Sequence, residues 1–182
     1  MRWEPQRSEE LRKAVRELVN EDPFRCYQCG KCTAGCPMAS EMEQPPHKVM
    51  RLLQLGDLSG AVESAWVCVS CETCTARCPQ GIDVARVMDG VRQLGLSRGV
   101  FPREGAAVFA QVFLEQVKNY GRLWEPLLGA KYNLRTLNPF KDAGLALKLL
   151  QKGRIPFSPD RIEGKGELEK IFAVLGQKRG EG

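Results

Sequence analysis

Eight cysteines in two identically spaced runs constrain this chain more than any other feature of its sequence. Each run has the spacing C-x2-C-x2-C-x3-C-P. The first run contains Cys26, Cys29, Cys32 and Cys36, and the second contains Cys68, Cys71, Cys74 and Cys78. No cysteine of the 182-residue protein lies outside these runs. Because the thiols recur as two matched sets, we expect the fold to gather them for one purpose, the binding of metal.

This spacing is the one that two-cluster ferredoxins use to hold cubane iron–sulfur clusters. In that pattern the first three cysteines of a run bind one cluster, and the fourth binds the cluster of the other run. Carried over by position, the first cluster takes Cys26, Cys29, Cys32 and Cys78, and the second takes Cys68, Cys71, Cys74 and Cys36. The sequence therefore predicts two 4Fe–4S clusters held in one cross-ligated unit.

Zinc and disulfides are the alternatives for the cysteines, and both fit less well. Structural zinc sites also use C-x2-C pairs, but a terminal C-x3-C-P is atypical of zinc. Disulfides need an oxidising compartment, whereas the charged start MRWEPQRSEELRK lacks the apolar segment of a signal peptide. No stretch approaches the roughly 18 apolar residues of a membrane span. We therefore predict a cytoplasmic protein with metal-bound cysteines and no membrane span.

The net charge bears on nucleic-acid binding. The formal charge is +5 with the cysteines counted as neutral. Two oxidised clusters with their thiolates would each carry about −2, which brings the loaded protein close to about +1. The basic residues are then mostly a counter-charge for the cofactors, and we expect no nucleic-acid partner.

Apolar residues recur at helical spacing along the chain, and the alternation typical of strands is missing. The segment 8–19 reads as a first helix with Ser8 as its N-cap. Two short helices follow between the cysteine runs, beginning near Pro46 and at Asp57, and Asp83 caps another after the second run. The predicted fold is all-α, an α-helical ferredoxin core with N-terminal and C-terminal helical extensions.

The C-terminal part of the chain has its own pattern. A helix is predicted from Pro102 to the residue before Gly121, and another over 139–152. Prolines and glycines then indicate an extended connector, followed by an amphipathic tail helix that we expect to dock on a partner. The predicted segments are an N-terminal helix over 1–22, the two-cluster domain over 23–98, a helical extension over 99–153, and the connector with its docking helix over 154–182.

Few residues outside the two runs suggest chemistry of their own. His47 is the only histidine and follows two prolines; we interpret it as a surface or capping residue, with a ligand or proton-transfer role as the alternative. Met38, Met42 and Met50 are interpreted as core residues that could also shield a cluster from water. The sequence has no recognisable nucleophile–base pair, phosphate loop or flavin motif. We therefore predict no catalytic residue on this chain.

Longer stretches resemble one family in particular. The runs CYQCGKCTAGCP and WVCVSCETCTARCPQGID, the intervening HKVMRLLQLGDL and the short total length are similar to the C-type iron–sulfur subunit of heterodisulfide reductase. The closing segment IEGKGELEKIF is similar to the end of that protein. The cysteine motifs alone are shared with other helical two-cluster proteins, including iron–sulfur subunits of glycerol-3-phosphate and succinate dehydrogenases.

The resemblance implies a role in electron transfer. In that family, the C-type protein relays electrons from an A-type subunit, which holds flavin and iron–sulfur clusters, to a B-type subunit, which reduces a disulfide. It therefore implies that this chain is the electron-transfer subunit of an oxidoreductase complex, with A-type and B-type subunits as partners and no substrate chemistry of its own. A relay for another dehydrogenase is the alternative, and a metal-stabilised interaction module without a redox role is a less favoured one.

Overall fold

The computed structural model describes residues 5–102, 105–139 and 164–179, with the single positions 144, 148, 151, 152 and 162. In this part of the chain the regular elements are helices and no strand occurs, which confirms the predicted all-α fold class. The helices are α1 (Pro5–Val19), α2 (Lys31–Ala34), α3 (Pro46–Gln54), α4 (Leu58–Val67), α5 (Thr73–Ala76), α6 (Val84–Ser97), α7 (Ala106–Tyr120), α8 (Glu125–Arg135) and α9 (Lys165–Arg179), with a 3₁₀ turn at Pro23–Arg25. The chain divides into two compact units, Met1–Pro102 and Arg103–Gly182.

The first helix begins earlier than its sequence pattern predicts. Helix α1 includes Pro5, a residue that is tolerated in a first turn because it needs no hydrogen-bond partner for its nitrogen. The predicted N-cap Ser8 is therefore wrong, since Ser8 lies inside the helix and is buried. Its Oγ donates a hydrogen bond of 2.6 Å to the carbonyl oxygen of Gln54. This bond joins α1 to the last residue of α3.

The predicted helix starts around the second cysteine run are confirmed. Asp57 precedes α4 and accepts the backbone N–H of Gly60 at 3.1 Å. Asp83 precedes α6 and accepts the backbone N–H of Arg86 at 3.0 Å. Each carboxylate satisfies a backbone N–H that has no partner within its own helix.

Helix α6 forms the centre of the first unit, because it packs against both α1 and α4. Close approach is possible where α6 carries glycine. A Cβ at Gly90 would lie 2.9 Å from a methyl of Val19, and one at Gly95 would lie 2.8 Å from a methyl of Val62. The side chains with at most 1% exposure in this core are Leu11, Val15, Val49, Met50, Leu53, Ala61, Val62, Ala65, Ile82, Val87, Met88 and Val91. Each large aliphatic one contributes roughly 1.5–3 kcal/mol by leaving water.

The second unit differs from its prediction in two places. Helix α7 begins at Ala106, after Gly105 at φ +76°, so the predicted start at Pro102 is wrong. Its predicted end is confirmed, because Gly121 takes up a left-handed conformation at φ +78°. Helix α8 has no counterpart among the predicted helices.

The predicted C-terminal segments are described only in part. The helix predicted over 139–152 and the connector before the tail fall largely outside the described residues. Helix α9 covers the tail that the pattern predicts to be helical. Across the described part of the chain, no helix combines the length and apolar character needed to cross a membrane.

Candidate iron–sulfur centre

Cysteines at matching positions of the two runs are exposed to solvent to the same degree. The third cysteine of each run, Cys32 or Cys74, is buried with 8% of its surface exposed. The second cysteine, Cys29 or Cys71, is exposed. The remaining four cysteines are half-buried, and all eight are free thiols. Each run therefore has one side turned inwards and one turned to solvent.

The loops that carry the first cysteines share an unusual backbone. In the first run, Gln28 and Gly30 have positive φ angles of 65° and 76°, and in the second run Ser70 and Glu72 follow with 51° and 59°. A short helix begins directly after each of these pairs and holds the third cysteine. Left-handed residues at two matched positions bend the two loops at the same places. Only one of these four positions is glycine, the residue for which a positive φ costs nothing.

One cavity brings together cysteines from both runs. It is lined by the three leading cysteines of the second run, Cys68, Cys71 and Cys74, and by Cys36, the last of the first run. It contains about 350 Å³ of space not filled by atoms, part of it open to solvent. This is the set of thiols that the two-cluster spacing assigns to the second cluster. That these thiols ligate a cluster stays a prediction.

Methionines form much of the remaining wall of this cavity. Met38, Met42 and Met88 all line it, and the latter two are almost fully buried, with 5% and 1% exposure. Thioether side chains are apolar and adaptable in shape, so they fit an irregular group and exclude water from it. Met50 is a core residue with no exposed surface, as the sequence predicts.

The other four thiols are linked by their electrostatics. Burial raises the pKa of the Cys26 thiol, and the nearby charges of Cys78 and Cys29 raise it further. Burial likewise raises the pKa of Cys32 to about 11, with a further contribution from Cys26. The fourth cysteine of the second run therefore lies within electrostatic range of the first run. These are the four thiols assigned by spacing to the first cluster.

The donor set suits a cluster of several irons. Within the described residues, no three His, Cys, Asp or Glu side chains lie close enough together to hold a single metal ion. A cubane cluster makes a different demand, because each of its irons takes one cysteine at a separate corner. Four thiols around a cavity whose other lining residues are apolar except for Glu72 fit that demand, with the thiols losing their protons on binding.

A threonine in each cysteine run caps the helix that follows the run. Oγ1 of Thr33 accepts the backbone N–H of His47 at 3.1 Å, and Oγ1 of Thr75 accepts that of Ala85 at 3.2 Å. His47 and Ala85 are each the second residue of their helix, α3 and α6. Each hydroxyl thus satisfies an otherwise orphan N–H of a first helical turn. The predicted placement of His47 at a helix start is confirmed, and it is half-buried there.

The same two helices also hold the beginning of each run. The side-chain amide of Gln54, at the end of α3, donates to the carbonyl oxygen of Cys26 at 2.8 Å. The guanidinium group of Arg92, on α6, donates to the carbonyl oxygens of Cys68 and of Ala65, the latter at 2.7 Å. Each run is therefore fixed by the following helix at two points, one near its start and one at its threonine.

Sequence reasoning missed the four residues that hold the cysteine runs in place, Thr33, Thr75, Gln54 and Arg92. A signal existed for the threonines, because Thr33 and Thr75 occupy the same position in both runs, directly after the third cysteine. For Gln54 and Arg92 the signal is weaker, because the two residue types differ, although each stands eight positions after the first residue of its helix.

Comparison with known proteins agrees with this geometry. Residues 25–83 match the family model described as the 4Fe-4S dicluster domain. The fold and the site thus define a helical iron–sulfur protein in which residues 25–83 match a 4Fe-4S dicluster domain.

A more specific similarity extends over half of the chain. The chain is 34% identical over 97 residues to the C-type iron–sulfur subunit of the CoB–CoM heterodisulfide reductase of Methanopyrus kandleri. The match covers 50% of this chain and 50% of that relative, so the chain spans about half the length of the curated relative it matches. The resemblance predicted from the motifs is confirmed over this part.

Proposed function

We propose that this chain is an electron-transfer subunit that carries two 4Fe–4S clusters within a heterodisulfide-reductase-like complex. The observation that carries the proposal is the cavity in which Cys36 of the first run joins Cys68, Cys71 and Cys74 of the second. A fourth thiol from the other run is what cross-ligated two-cluster proteins need. Support also comes from the dicluster match over residues 25–83 and from the similarity to a C-type iron–sulfur subunit.

The proposed ligands are divided between the runs. Cys26, Cys29, Cys32 and Cys78 hold the first cluster, and Cys68, Cys71, Cys74 and Cys36 hold the second. Bound clusters supply one-electron redox chemistry, with potentials set by charge, solvent exposure and hydrogen bonds to sulfur. The chain itself positions the thiolates, through the carbonyl contacts of Gln54 and Arg92 and the threonine caps.

Solvent exposure suggests where electrons enter and leave. Cys29 and Cys71 are exposed, and each is flanked by an exposed apolar residue two positions earlier, Tyr27 at 58% and Val69 at 59%. An electron partner that covers one of these faces comes within short range of a ligand sulfur and buries an apolar side chain at the same time. The two runs therefore offer one face to a donor and another to an acceptor.

The proposed partners follow from the similarity to the M. kandleri protein. The donor is an A-type subunit that holds flavin and iron–sulfur clusters, and the acceptor is a B-type subunit that reduces a disulfide. The relative is named for the CoB–CoM heterodisulfide, and a heterodisulfide of two thiol cofactors is accordingly the proposed type of final substrate. The chain is proposed to act in the cytoplasm, with the C-terminal segment 154–182 as a docking element.

The cluster content has a direct test. Anaerobically purified protein should contain about eight iron and eight labile sulfide per chain, as two cubanes require, and dithionite should bleach its visible absorbance. Cross-ligation is tested with serine variants. Cys36→Ser should perturb the same electron paramagnetic resonance signal as Cys71→Ser, and leave the signal that Cys29→Ser perturbs. If Cys36→Ser and Cys29→Ser perturb the same signal, each run binds its own cluster and the proposed ligand sets are wrong.

The partners are tested by purifying the native complex under anaerobic conditions and identifying its other subunits. A flavoprotein and a disulfide-reducing protein support the proposal, whereas dehydrogenase subunits of the glycerol-3-phosphate or succinate type favour the alternative relay. Deletion of 154–182 should leave iron content unchanged and weaken co-purification. Protein without iron or sulfide would favour a module that has no redox role.

A further inference from the structure

Gly35 and Arg77 occupy the same position in the two cysteine runs, directly before the fourth cysteine of each. The backbone has nearly the same conformation at both positions, with φ −106° and ψ 1° at Gly35 and φ −94° and ψ −5° at Arg77. Most residue types adopt this conformation in ordinary turns, so the backbone does not require glycine at position 35. The two runs therefore differ here in the side chain alone.

A close contact between the runs accounts for this difference. A Cβ at Gly35 would lie 2.7 Å from Nη1 of Arg77, 2.8 Å from its Cδ and 2.9 Å from its Nε. The short helices α2 and α5, which end directly before these two residues, also pack against each other. The side chain of Arg77 thus lies across the first run, in the space that a side chain at position 35 would fill.

This contact places a positive charge where each run supplies its fourth cysteine to the other cluster. Gly35 is bonded to Cys36, a proposed ligand of the second cluster, and Arg77 is bonded to Cys78, a proposed ligand of the first. Because consecutive Cα atoms are about 3.8 Å apart, the guanidinium group lies on the order of 10 Å from both cysteines. No carboxylate of the described residues lies within ion-pairing distance of Arg77.

Two other charged side chains near the runs lie beside one cluster each. Arg25 donates a hydrogen bond of 2.6 Å to the carbonyl oxygen of Gln80. This bond joins the start of the first run to the segment after Cys78, and both belong to the proposed site of the first cluster. Glu72 lines the cavity of the second cluster. Arg77 differs from both, because its neighbour in the chain and its neighbour in space belong to different clusters.

We propose that the charge of Arg77 is shared by the two clusters and stabilises an added electron on either one, with Gly35 leaving the space that this side chain needs. This inference rests on the proposed function, because it assumes that Cys36 and Cys78 are ligands of different clusters. One-electron reduction takes a cluster with its four thiolates from about −2 to about −3, and a nearby positive charge favours the more negative state. Arg77 thus raises both potentials together and shifts the relay as a whole.

Redox titrations followed by electron paramagnetic resonance measure both potentials in the anaerobic protein. Arg77→Gln should lower the equilibrium constant for reduction of each cluster about threefold, the weak end of a Coulomb interaction across about 10 Å, because Arg77 is exposed. This corresponds to about 30 mV, since 59 mV is tenfold for one electron. Arg77→Lys, which retains the charge, should restore most of both potentials. Unchanged potentials in Arg77→Gln, or a shift in one cluster only, would overturn the proposal.

Lys13→Gln is the matched control for the loss of one positive charge. Lys13 lies on an exposed part of α1, where its ammonium group is 3.8 Å from a carboxylate oxygen of Glu17. This substitution changes the net charge as Arg77→Gln does, but at a position outside both runs. It should leave both potentials unchanged. Equal shifts in Lys13→Gln and Arg77→Gln would mean that net charge alone is responsible, and would overturn the proposal.

Salt separates the charge of Arg77 from its packing. An exposed charge is screened over a Debye length, which is about 10 Å at 0.1 M ionic strength and about 3 Å at 1 M. The potentials of the wild-type protein and of Arg77→Gln should therefore converge at 1 M salt. A difference that persists at 1 M would mean that the substitution displaces the cysteines, and the proposed role of the charge would be wrong.

Gly35→Ala moves the charge without removing it. The added methyl group should push the flexible side chain of Arg77 away from Cys36, while the backbone of Arg77 stays beside Cys78. We expect the potential of the second cluster to fall and that of the first to change less. In an Arg77→Gln background the same substitution should have little further effect, because the charge is already gone. An unchanged second potential in Gly35→Ala would overturn the proposal, even if Arg77→Gln does not fold.

The charges that lie beside one cluster provide the comparison. Arg25→Gln should lower mainly the potential of the first cluster, and Glu72→Gln should raise mainly that of the second. If Arg25→Gln shifts both clusters equally, Arg77 has no special position and the proposal is wrong. Both cluster signals in each variant, with the iron and sulfide content of the wild-type protein, separate failure of this inference from failure of the proposed function.

Discussion

The side chain of Gln54 binds the carbonyl oxygen of Cys26 at 2.8 Å and that of Pro23 at 3.1 Å. One amide group therefore joins the end of α3 to the point where the chain enters the first cysteine run. The backbone of Gln54 takes part as well, because its carbonyl oxygen accepts the hydroxyl of Ser8. A single residue thus ties α1, α3 and the first run together.

Replacement of Gln54 should loosen the first run. Gln54→Met retains the length and apolar stem of the side chain but removes the donor to the carbonyl oxygen of Cys26, while that of Pro23 keeps the backbone N–H of Cys26. The loss should cost about 1–3 kcal/mol. We expect the first cluster to be lost faster than the second when the protein is exposed to a chelator, as followed by the decay of each paramagnetic signal. Gln80→Met, at an exposed position, is the control and should leave both rates unchanged. Equal loss of the two clusters in Gln54→Met would contradict a local role.

Helix starts and cysteine grouping follow from sequence because they depend on local chemistry. Asp57 and Asp83 cap their helices as predicted, since an aspartate before an apolar stripe has few other uses. Cys36 lies with the second run, as the repeated spacing implies. Such features need only the residue types and their separation along the chain.

Features that depend on distant partners could not be predicted in this way. Serine is a residue type that often caps helices, but the hydroxyl of Ser8 donates a hydrogen bond to the carbonyl oxygen of Gln54, which is distant in sequence. Glu72 would not be expected at a positive φ, which the geometry of the second loop imposes on it. The contact of 2.7 Å between Oγ1 of Thr33 and Nδ1 of His47 likewise forms only in the folded chain. Tertiary partners outweighed local preference at each of these positions.

The matched positions Gly30 and Glu72 should respond in opposite ways to substitution. Both have positive φ, at 76° and 59°, and a Cβ at Gly30 meets no atom within 4 Å. Gly30→Ala should therefore destabilise the protein through backbone conformation alone, by about 1 kcal/mol, and Glu72→Gly should relieve a similar strain. Urea unfolding of the two variants measures both effects. Destabilisation by Glu72→Gly would mean that its side chain makes a compensating contact.

A methyl group at Gly95 should disturb the packing of α6. A Cβ there would lie 2.8 Å from both the carbonyl oxygen of Val100 and a methyl of Val62. Gly95→Ala should cost about 1–3 kcal/mol, the usual penalty for overpacking. The control is Gly129→Ala in α8, where a Cβ meets nothing within 4 Å, and where alanine should stabilise the helix by up to about 1 kcal/mol. Thermal unfolding of the two variants should move in opposite directions, and a stabilised Gly95→Ala would contradict the close contact.

Removal of the clusters should reveal different reactivities within the second run. Cys71 is exposed, and hydrogen bonds from the hydroxyl and backbone N–H of Thr73 lower the pKa of its thiol. Burial raises the pKa of Cys74. Because only the thiolate reacts with iodoacetamide, a lowered pKa increases the reactive fraction at neutral pH and a raised one decreases it. In cluster-free protein at pH 7 we therefore expect Cys71 to be alkylated faster than Cys74.

Peptide mass spectrometry after timed alkylation measures both rates. Thr73→Val should slow the reaction of Cys71 and leave that of Cys74 unchanged, because only the first thiol uses the threonine hydroxyl. Unfolding in urea should bring the two rates together, since it removes burial and hydrogen bonds alike. Raising the pH should also narrow the difference between the two alkylation rates. Cys71, with the lowered pKa, loses its proton at lower pH than Cys74, so at higher pH Cys74 gains thiolate while Cys71 gains little more. Equal rates in the folded, cluster-free protein would show that the two thiols share one environment, contrary to their placement on opposite sides of the run.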